Sequence, residues 1–328
     1  MTTQLAAITA VGGFVPETIL DNAALEKLVD TTDAWITTRT GIKERRIATD
    51  PAMATSDMTA NAILNLLESK NINPADVDCI ILATSTPDYL LTPTAALVAK
   101  KAGLTTAFAM DINAACSGFL FALSTGAMFI ESGRYKKVIV AGADKMSSIV
   151  NYKDRNTCVL FGDGAGAVLL EPAKEGYGLQ DNIFKTDGNG GEVLSVPAGG
   201  SLLPATNDTI AQNLHYVQQD GRTVFKNAIR GMTSACAQLL EKNNMTTQDV
   251  DWVIPHQANL RIIDAVGESL NIPKDKIKVN IQRYGNTTAA TLPLVLWDYQ
   301  NDFKPGDKIL LTAFGAGFTW GASYLIWQ

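Results

Sequence analysis

Two stretches of the chain carry the same run of apolar and polar positions without a gap: LLESKNINPADVDCIILAT, 66–84, and LLEKNNMTTQDVDWVIPHQ, 239–257. In each, apolar residues at helical spacing lead into a polar turn and then a short apolar strand. The helix leading into the first stretch is apolar at Ile63, Leu64, Leu66 and Leu67, and that leading into the second at Ala235, Leu239 and Leu240. The unit predicted is helix, turn, buried strand.

Two further pairs follow in the same order: KKVIVAGAD (136–144) with DKILLTAFGAG (307–317), and FGDGAGAVLLEP (161–172) with FGAGFTWGASYLIW (314–327). A period of half the chain means a duplicated fold, because solenoid repeats are shorter and recur several times. The boundary is expected between Glu171 and Gly178, giving halves 1–172 and 173–328. Each half alternates helices with valine- and isoleucine-rich strands such as Val138–Ala141 and Ile309–Thr312, the pattern of sheets covered by helices on both faces. A layered α/β architecture with pseudo-twofold symmetry follows. In this register DINAACSGFLFAL (111–123) corresponds to GNTTAATLPLVL (285–296), which sets Cys116 opposite Asn286 and Thr287.

Composition narrows the function. The 328 residues are 46% apolar, enough to fill the core of two domains, and only 18% are charged. A net charge of -6 gives no general attraction for nucleic acid or an anionic membrane, so an anionic partner must be held by a local patch. Cys79, Cys116, Cys158 and Cys236 form no CxxC pair, and with only His215 and His256 there is no zinc spacing. No metal is expected, and the cysteines read as reduced thiols. No apolar run reaches the roughly 18 residues of a membrane helix, and the N-terminus lacks the basic and apolar regions of an export signal. A soluble, cytoplasmic protein is expected.

Equivalent loops of two like halves converge on one pocket, which makes Cys116, His256 and Asn286 candidates for a single cluster. Cys116 opens a predicted helix, where free backbone N–H groups favour a thiolate, although its alanine and phenylalanine neighbours equally suit an inert buried thiol. His256 falls at a strand end after Pro255, and by itself reads as an ordinary hydrogen-bonded histidine. Asn286 follows a glycine at a turn, where asparagine commonly caps a helix. The segments GDGAGA and GAGFTWG match no phosphate-binding loop and read as close backbone packing. An N–H within Gly315–Gly317 has the right type to complete an oxyanion hole with the amide of Cys116.

Together, DAWITTRTGIKER, NAACSGF, FGDGAGAVLL, PHQANLRI and GNTTAA resemble the β-ketoacyl-acyl-carrier-protein synthase III family of the thiolase-like superfamily, over essentially the whole chain. The resemblance implies duplicated βαβαβ halves in an αβαβα arrangement and the initiating condensation of type II fatty acid synthesis. By that resemblance Cys116 is the nucleophile that takes an acyl group from acyl-CoA, and His256 and Asn286 serve the decarboxylation of malonyl-carrier protein. The amides of Cys116 and Ala316 form the oxyanion hole, with Ala316 where relatives commonly have glycine.

The same likeness places Trp35, Arg39, Arg155, Phe225 and Asn259 at the CoA site, and Phe314 and Leu91 at the acyl pocket. Leu91 or Thr92 stands where some relatives carry a phenylalanine that crosses a dimer interface. Lys226 and Arg261 would meet the acidic acyl carrier protein, but VGESL, with Glu268 and Ser269, replaces lysines that often extend this patch. A homodimer without a cofactor is implied, acyl-CoA and acyl carrier protein being its partners.

Elongating condensing enzymes need a second histidine, and biosynthetic thiolases a second cysteine near the C-terminus; neither follows His256 here. The remaining alternatives are a condensing enzyme of specialised metabolism with another acyl-CoA or acceptor, and a non-catalytic acyl-binding subunit.

Overall fold

The computed structural model describes residues 4–328. Strands β1 (Ala6–Phe14), β2 (Cys79–Ala83), β3 (Phe108–Ile112), β4 (Val138–Asp144) and β5 (Gly164–Pro172) form one sheet in the order β1-β5-β4-β2-β3. Strands β6 (Gly178–Thr186), β7 (Trp252–Pro255), β8 (Lys308–Gly315) and β9 (Thr319–Ile326) form a second, in the order β6-β9-β8-β7. In both sheets the outermost two pairings from the β1 or β6 side are antiparallel and the next is parallel. A single parallel bridge between Val253 and Ile277 stands where the first sheet has its fifth strand. The two sheets are therefore built to one plan.

The helices that matter for the site are α1 (Asp33–Thr40), α2 (Thr55–Ser69), α3 (Thr94–Lys101), α4 (Gly118–Glu131), α5 (Gly221–Lys242), α6 (Leu260–Ser269) and α7 (Thr291–Tyr299). Helices α2 and α3 cover the outer face of the first sheet, and α5 and α6 that of the second. Helices α4 and α7 lie between the sheets. GFLFALSTGAMFIE is apolar nearly all round because both its sides face protein, the expected pattern for a buried helix.

Strand side chains alternate between these layers. Val138 and Val140 face the middle layer while Ile139, Ala141 and Ala143 face the outer one; on β8, Ile309, Leu311 and Ala313 alternate with Leu310 and Phe314. With both faces dry these strands are apolar nearly throughout, the buried exceptions being Asp144 at the end of β4 and Thr312 in β8. Phe119, fully buried in the middle layer, would cost about 3–5 kcal/mol if cut to alanine. The glycines of FGDGAGAVLL act by close packing: a Cβ on Gly166 would lie 2.7 Å from the Cβ of Pro293, so the bare backbone lets α7 settle on the sheet.

The structure corrects the register at the two central helices. Ala115 and Thr288 share a left-handed backbone, with φ 47° and 51°, and each opens a single 3-10 turn that runs into α4 or α7. Asn113 therefore matches Asn286, and Cys116 matches Ala289 rather than Asn286 or Thr287. The offset, 173 residues from Asn113 to Asn286, is the one that relates Leu66 to Leu239.

Candidate active site

Cys116 sits in the turn between β3 and α4. Asn113 Oδ1 accepts the Ala115 N–H at 3.1 Å, and this side-chain turn stabilises an alanine backbone that otherwise costs about 1–2 kcal/mol. Ser117 donates its hydroxyl to the Ala114 carbonyl at 2.8 Å and lies 2.8 Å from Thr319 Oγ1 on β9. From the other side β8 ends at Gly315, where a Cβ would come within 2.7 Å of the Cys116 nitrogen and 3.1 Å of the Ser117 nitrogen. Only glycine fits there without moving the cysteine.

The thiol is buried, and burial together with the nearby Asp144 charge pushes it up to about 12. The free N–H groups at the start of α4 act the other way but do not outweigh these effects, so the thiolate expected from the helix start is replaced by a protonated thiol. Cys79, Cys158 and Cys236 are likewise buried and pushed up to about 12, 11 and 12 by desolvation. Of the four, Cys116 alone lines the central cavity.

His256 follows β7 directly and donates its backbone N–H to the Thr312 carbonyl at 2.8 Å. Burial drives its imidazole down to about 3, so it is neutral near pH 7. Thr291 Oγ1, at the start of α7, lies 2.7 Å from His256 Nδ1 and 3.0 Å from the Thr288 carbonyl. Its one proton serves one acceptor at a time; directed at Nδ1, it leaves the imidazole proton on Nε2. Asn286 is tied by its backbone to Leu160 and Gly162, and its Oδ1 accepts the Thr288 N–H at 2.9 Å. Asn286 is therefore not the helix cap expected of it, since Thr287 and Ala290 hold the cap positions; it closes a local side-chain turn, which leaves its amide NH2 free to face the cavity.

Cys116, His256, Asn286, Phe314 and Ala316 line one cavity of about 390 Å³ where the two halves meet. Among the described residues, neither the Cys116 N–H nor the Ala316 N–H donates to another protein group. Phe225 and Asn259 also line the cavity, and Asn259 caps α6 by accepting the Arg261 N–H at 2.9 Å. Arg261 lies over the Phe225 ring at 5.3 Å, and both Arg261 and Lys226 are exposed.

Trp35, Arg39 and Arg155 gather beside the cavity rather than on its lining. The Arg155 guanidinium stands 4.8 Å from the Trp35 ring centre and Arg39 6.0 Å from it. Trp35 packs against the buried cluster that includes Met146 and Phe161, both part of the cavity wall. A base entering between Trp35 and Arg155 must displace the guanidinium, which a 3.5 Å ion pair with exposed Asp30 holds only weakly. Leu91 is 94% exposed and does not line this chain's cavity. Gln257 turns away as well, bonding the Pro255 carbonyl at 2.6 Å and accepting the Asn280 N–H at 3.1 Å. Sequence reasoning missed Asp144, Thr288 and Thr291, although the spacing Asn-x-Thr after a glycine marked a side-chain turn.

A doubled α/β fold with cysteine, neutral histidine and asparagine on one junction cavity defines a condensing enzyme of the thiolase fold. Comparison with known proteins narrows this. Residues 110–188 match the family model 3-oxoacyl-[acyl-carrier-protein] synthase III, and residues 240–327 match the model of its C-terminal part. The chain is 52% identical to a β-ketoacyl-[acyl-carrier-protein] synthase III of Phocaeicola vulgatus, over 98% of this chain and 96% of that one. With the corresponding protein of Chlorobium phaeovibrioides the identity is 51%, over 98% and 99%. The crystal structure of 3-oxoacyl-[acyl-carrier-protein] synthase III from Aquifex aeolicus superposes with a TM-score of 0.90 at 44% identity, covering 98% of this chain and all of that one. The priming β-ketosynthase of the R1128 polyketide pathway gives the same TM-score at 30% identity. The chain belongs to the β-ketoacyl-acyl-carrier-protein synthase III family and is an acyltransferase.

Proposed function

We propose that the protein initiates fatty acid synthesis by condensing an acyl-CoA starter with malonyl-acyl-carrier protein, through an acyl group held on Cys116. One observation carries this reading: a thiol, a neutral imidazole, a free amide and two unengaged backbone N–H groups share one cavity. In the first half-reaction the Cys116 sulfur attacks the thioester carbonyl of acyl-CoA, and the thiol proton leaves with CoA. The N–H groups of Cys116 and Ala316 hold the oxyanion.

Malonyl-carrier protein then brings its thioester carbonyl to His256 Nε2–H and the Asn286 amide. As the malonyl carboxylate departs as CO2, its bonding electrons pass into an enolate whose oxygen these two donors stabilise. The enolate carbon attacks the acyl-Cys116 carbonyl, the Cys116 sulfur is expelled as a thiolate that takes a proton from solvent, and 3-oxoacyl-carrier protein leaves. No step calls for a cofactor.

In this reading Phe225 and Asn259 meet the pantetheine arm and Phe314 the acyl group, supported by their place on the cavity lining, while the cluster of Trp35, Arg39 and Arg155 beside it takes the nucleotide end of CoA. Lys226 and Arg261, exposed near Phe225, suit an acidic carrier. A homodimer fits the open edge of β3, where Phe108 is exposed, and the exposed loop carrying Leu90 and Leu91. No helix among the described residues is long and apolar enough to cross a membrane, in keeping with action on carrier-bound substrates.

The test is to incubate the protein with a panel of acyl-CoAs and weigh the Cys116 peptide, then add malonyl-carrier protein. We expect the acyl mass to appear and then to discharge with release of CO2. Failure of every starter to form the adduct sinks the reading. Discharge only by a different acceptor would place the chain with condensing enzymes of specialised metabolism.

A further inference from the structure

The carboxylate of Asp144 lies fully buried at the end of β4, behind the cavity wall, and the chemistry above assigns it no task. It accepts from six donors. Oδ1 takes the Thr84 hydroxyl at 3.1 Å, the Ser85 N–H at 2.7 Å, and the N–H and hydroxyl of Thr86 at 3.1 and 3.0 Å. Oδ2 takes the Thr288 hydroxyl, in a very short contact, and the Ala289 N–H at 3.2 Å. Four donors thus come from the first half and two from the turn that opens α7 in the second.

That turn needs support. Thr288 is β-branched yet adopts φ 51°, a conformation that carries a penalty of about 1–3 kcal/mol and persists only where surrounding contacts impose it. Both donors bound by Oδ2 belong to this strained segment. Its geometry also governs the two candidate donors: the Thr288 N–H fixes Asn286 Oδ1, and the Thr288 carbonyl lies 3.0 Å from the Thr291 hydroxyl that meets His256 Nδ1. Moving Thr288 therefore moves Asn286 through this side-chain turn, and Thr291 through the backbone that runs from the turn into α7. The counterpart of Asp144 at the end of β8 is Gly315, which packs on the Cys116 turn without a side chain.

We infer that Asp144 is a positioning residue for the decarboxylating half-reaction: through Thr288 and Ala289 it holds the turn that aims the Asn286 amide and the His256 imidazole. This rests on the reading of Asn286 and His256 as donors to the malonyl thioester. Asp144 touches no reacting atom. Its charge, close to Cys116, opposes thiolate formation, so its removal should not slow acylation. A residue that merely stabilised the fold would affect both half-reactions alike.

The experiment compares Asp144→Asn, Thr288→Val, Thr288→Ser and Asn286→Ala with the natural protein, using a starter acyl-CoA that loads the latter. Acylation of Cys116 is timed by mass, and CO2 release from malonyl-carrier protein is timed on the acylated enzyme. For Asp144→Asn we expect acylation within about threefold of normal and CO2 release about a hundredfold slower, the loss typical of a misplacement near 1 Å. The KM for malonyl-carrier protein should stay within about threefold, because the loss lies in aim rather than in binding. Thr288→Val should reproduce this split, whereas Thr288→Ser, which keeps the hydroxyl, should release CO2 at nearly the normal rate; these two decide the matter if Asp144→Asn does not fold.

Normal CO2 release by Asp144→Asn or Thr288→Val, or an equal fall in both half-reactions, overturns the inference. Retention of CO2 release by Asn286→Ala would instead remove the underlying reading, whatever Asp144 does.

Discussion

A sharp prediction concerns the pH dependence of stability at His256. Its imidazole ionises at 6.5 in ordinary surroundings but is driven down to about 3 by complete burial, so the folded protein keeps it neutral where the unfolded chain protonates it. The stability it contributes is fully present above pH 6.5 and is lost as pH falls from there toward 3. At pH 5 the loss is about 2 kcal/mol, and below pH 3 it approaches about 5 kcal/mol. Asp144 and Asp163 complicate the raw curve, since burial raises both and their folded forms take up protons with the opposite sign.

Comparison with His256→Asn isolates the histidine, because asparagine does not titrate and its amide can still reach Thr291. Urea unfolding at fixed protein concentration, at steps from pH 8 to pH 5, should show the natural protein losing about 2 kcal/mol relative to the variant. A difference that stays flat across this range would refute the argument that His256 is held neutral by burial.

Three further outcomes follow from the geometry. Gly315→Ala should slow acylation of Cys116 about a hundredfold and cost about 1–3 kcal/mol, since the new methyl would press on the Cys116 nitrogen at 2.7 Å; an unchanged single-turnover rate would contradict this. Trp35→Ala should raise the KM for acyl-CoA about five- to tenfold and leave malonyl-carrier kinetics alone, as steady-state assays varying each substrate would reveal. Lys226→Glu should raise the KM for malonyl-carrier protein at low ionic strength, with the effect shrinking at about 0.5 M salt; a salt-independent change would argue against charge-guided docking.

The duplication was legible because buried strands and their helices repeat by apolar pattern alone, as in 66–84 and 239–257. Cys116, His256 and Asn286 stood out by residue type at strand ends and helix starts. Their register did not, since GNTTAA and NAACSG align by eye on small residues, whereas the shared feature is a left-handed backbone at Ala115 and Thr288. The gapless repeat already contained the right offset, and carrying it through would have paired Asn113 with Asn286. Asp144 was hidden for a different reason: its partners Thr84, Thr86 and Thr288 are unremarkable in sequence and converge only when strand ends from one half meet a turn from the other. The protonation of Cys116 was equally out of reach, being set by burial and by that same aspartate.

The pseudo-twofold axis has a consequence for how one protein came to hold a single reaction centre on a doubled scaffold. A cavity on such an axis is viewed by both copies at once, so full symmetry would crowd two thiols and two imidazoles into about 390 Å³. The counterpart of Cys116 is Ala289, and the counterpart of His256 is Ala83, against which even a methyl on Gly118 would sit only 3.2 Å away. Each copy has fallen silent where the other speaks. The surrendered positions are packed into the middle layer, so a thiol or an imidazole restored at either one would have to displace buried backbone and small side chains.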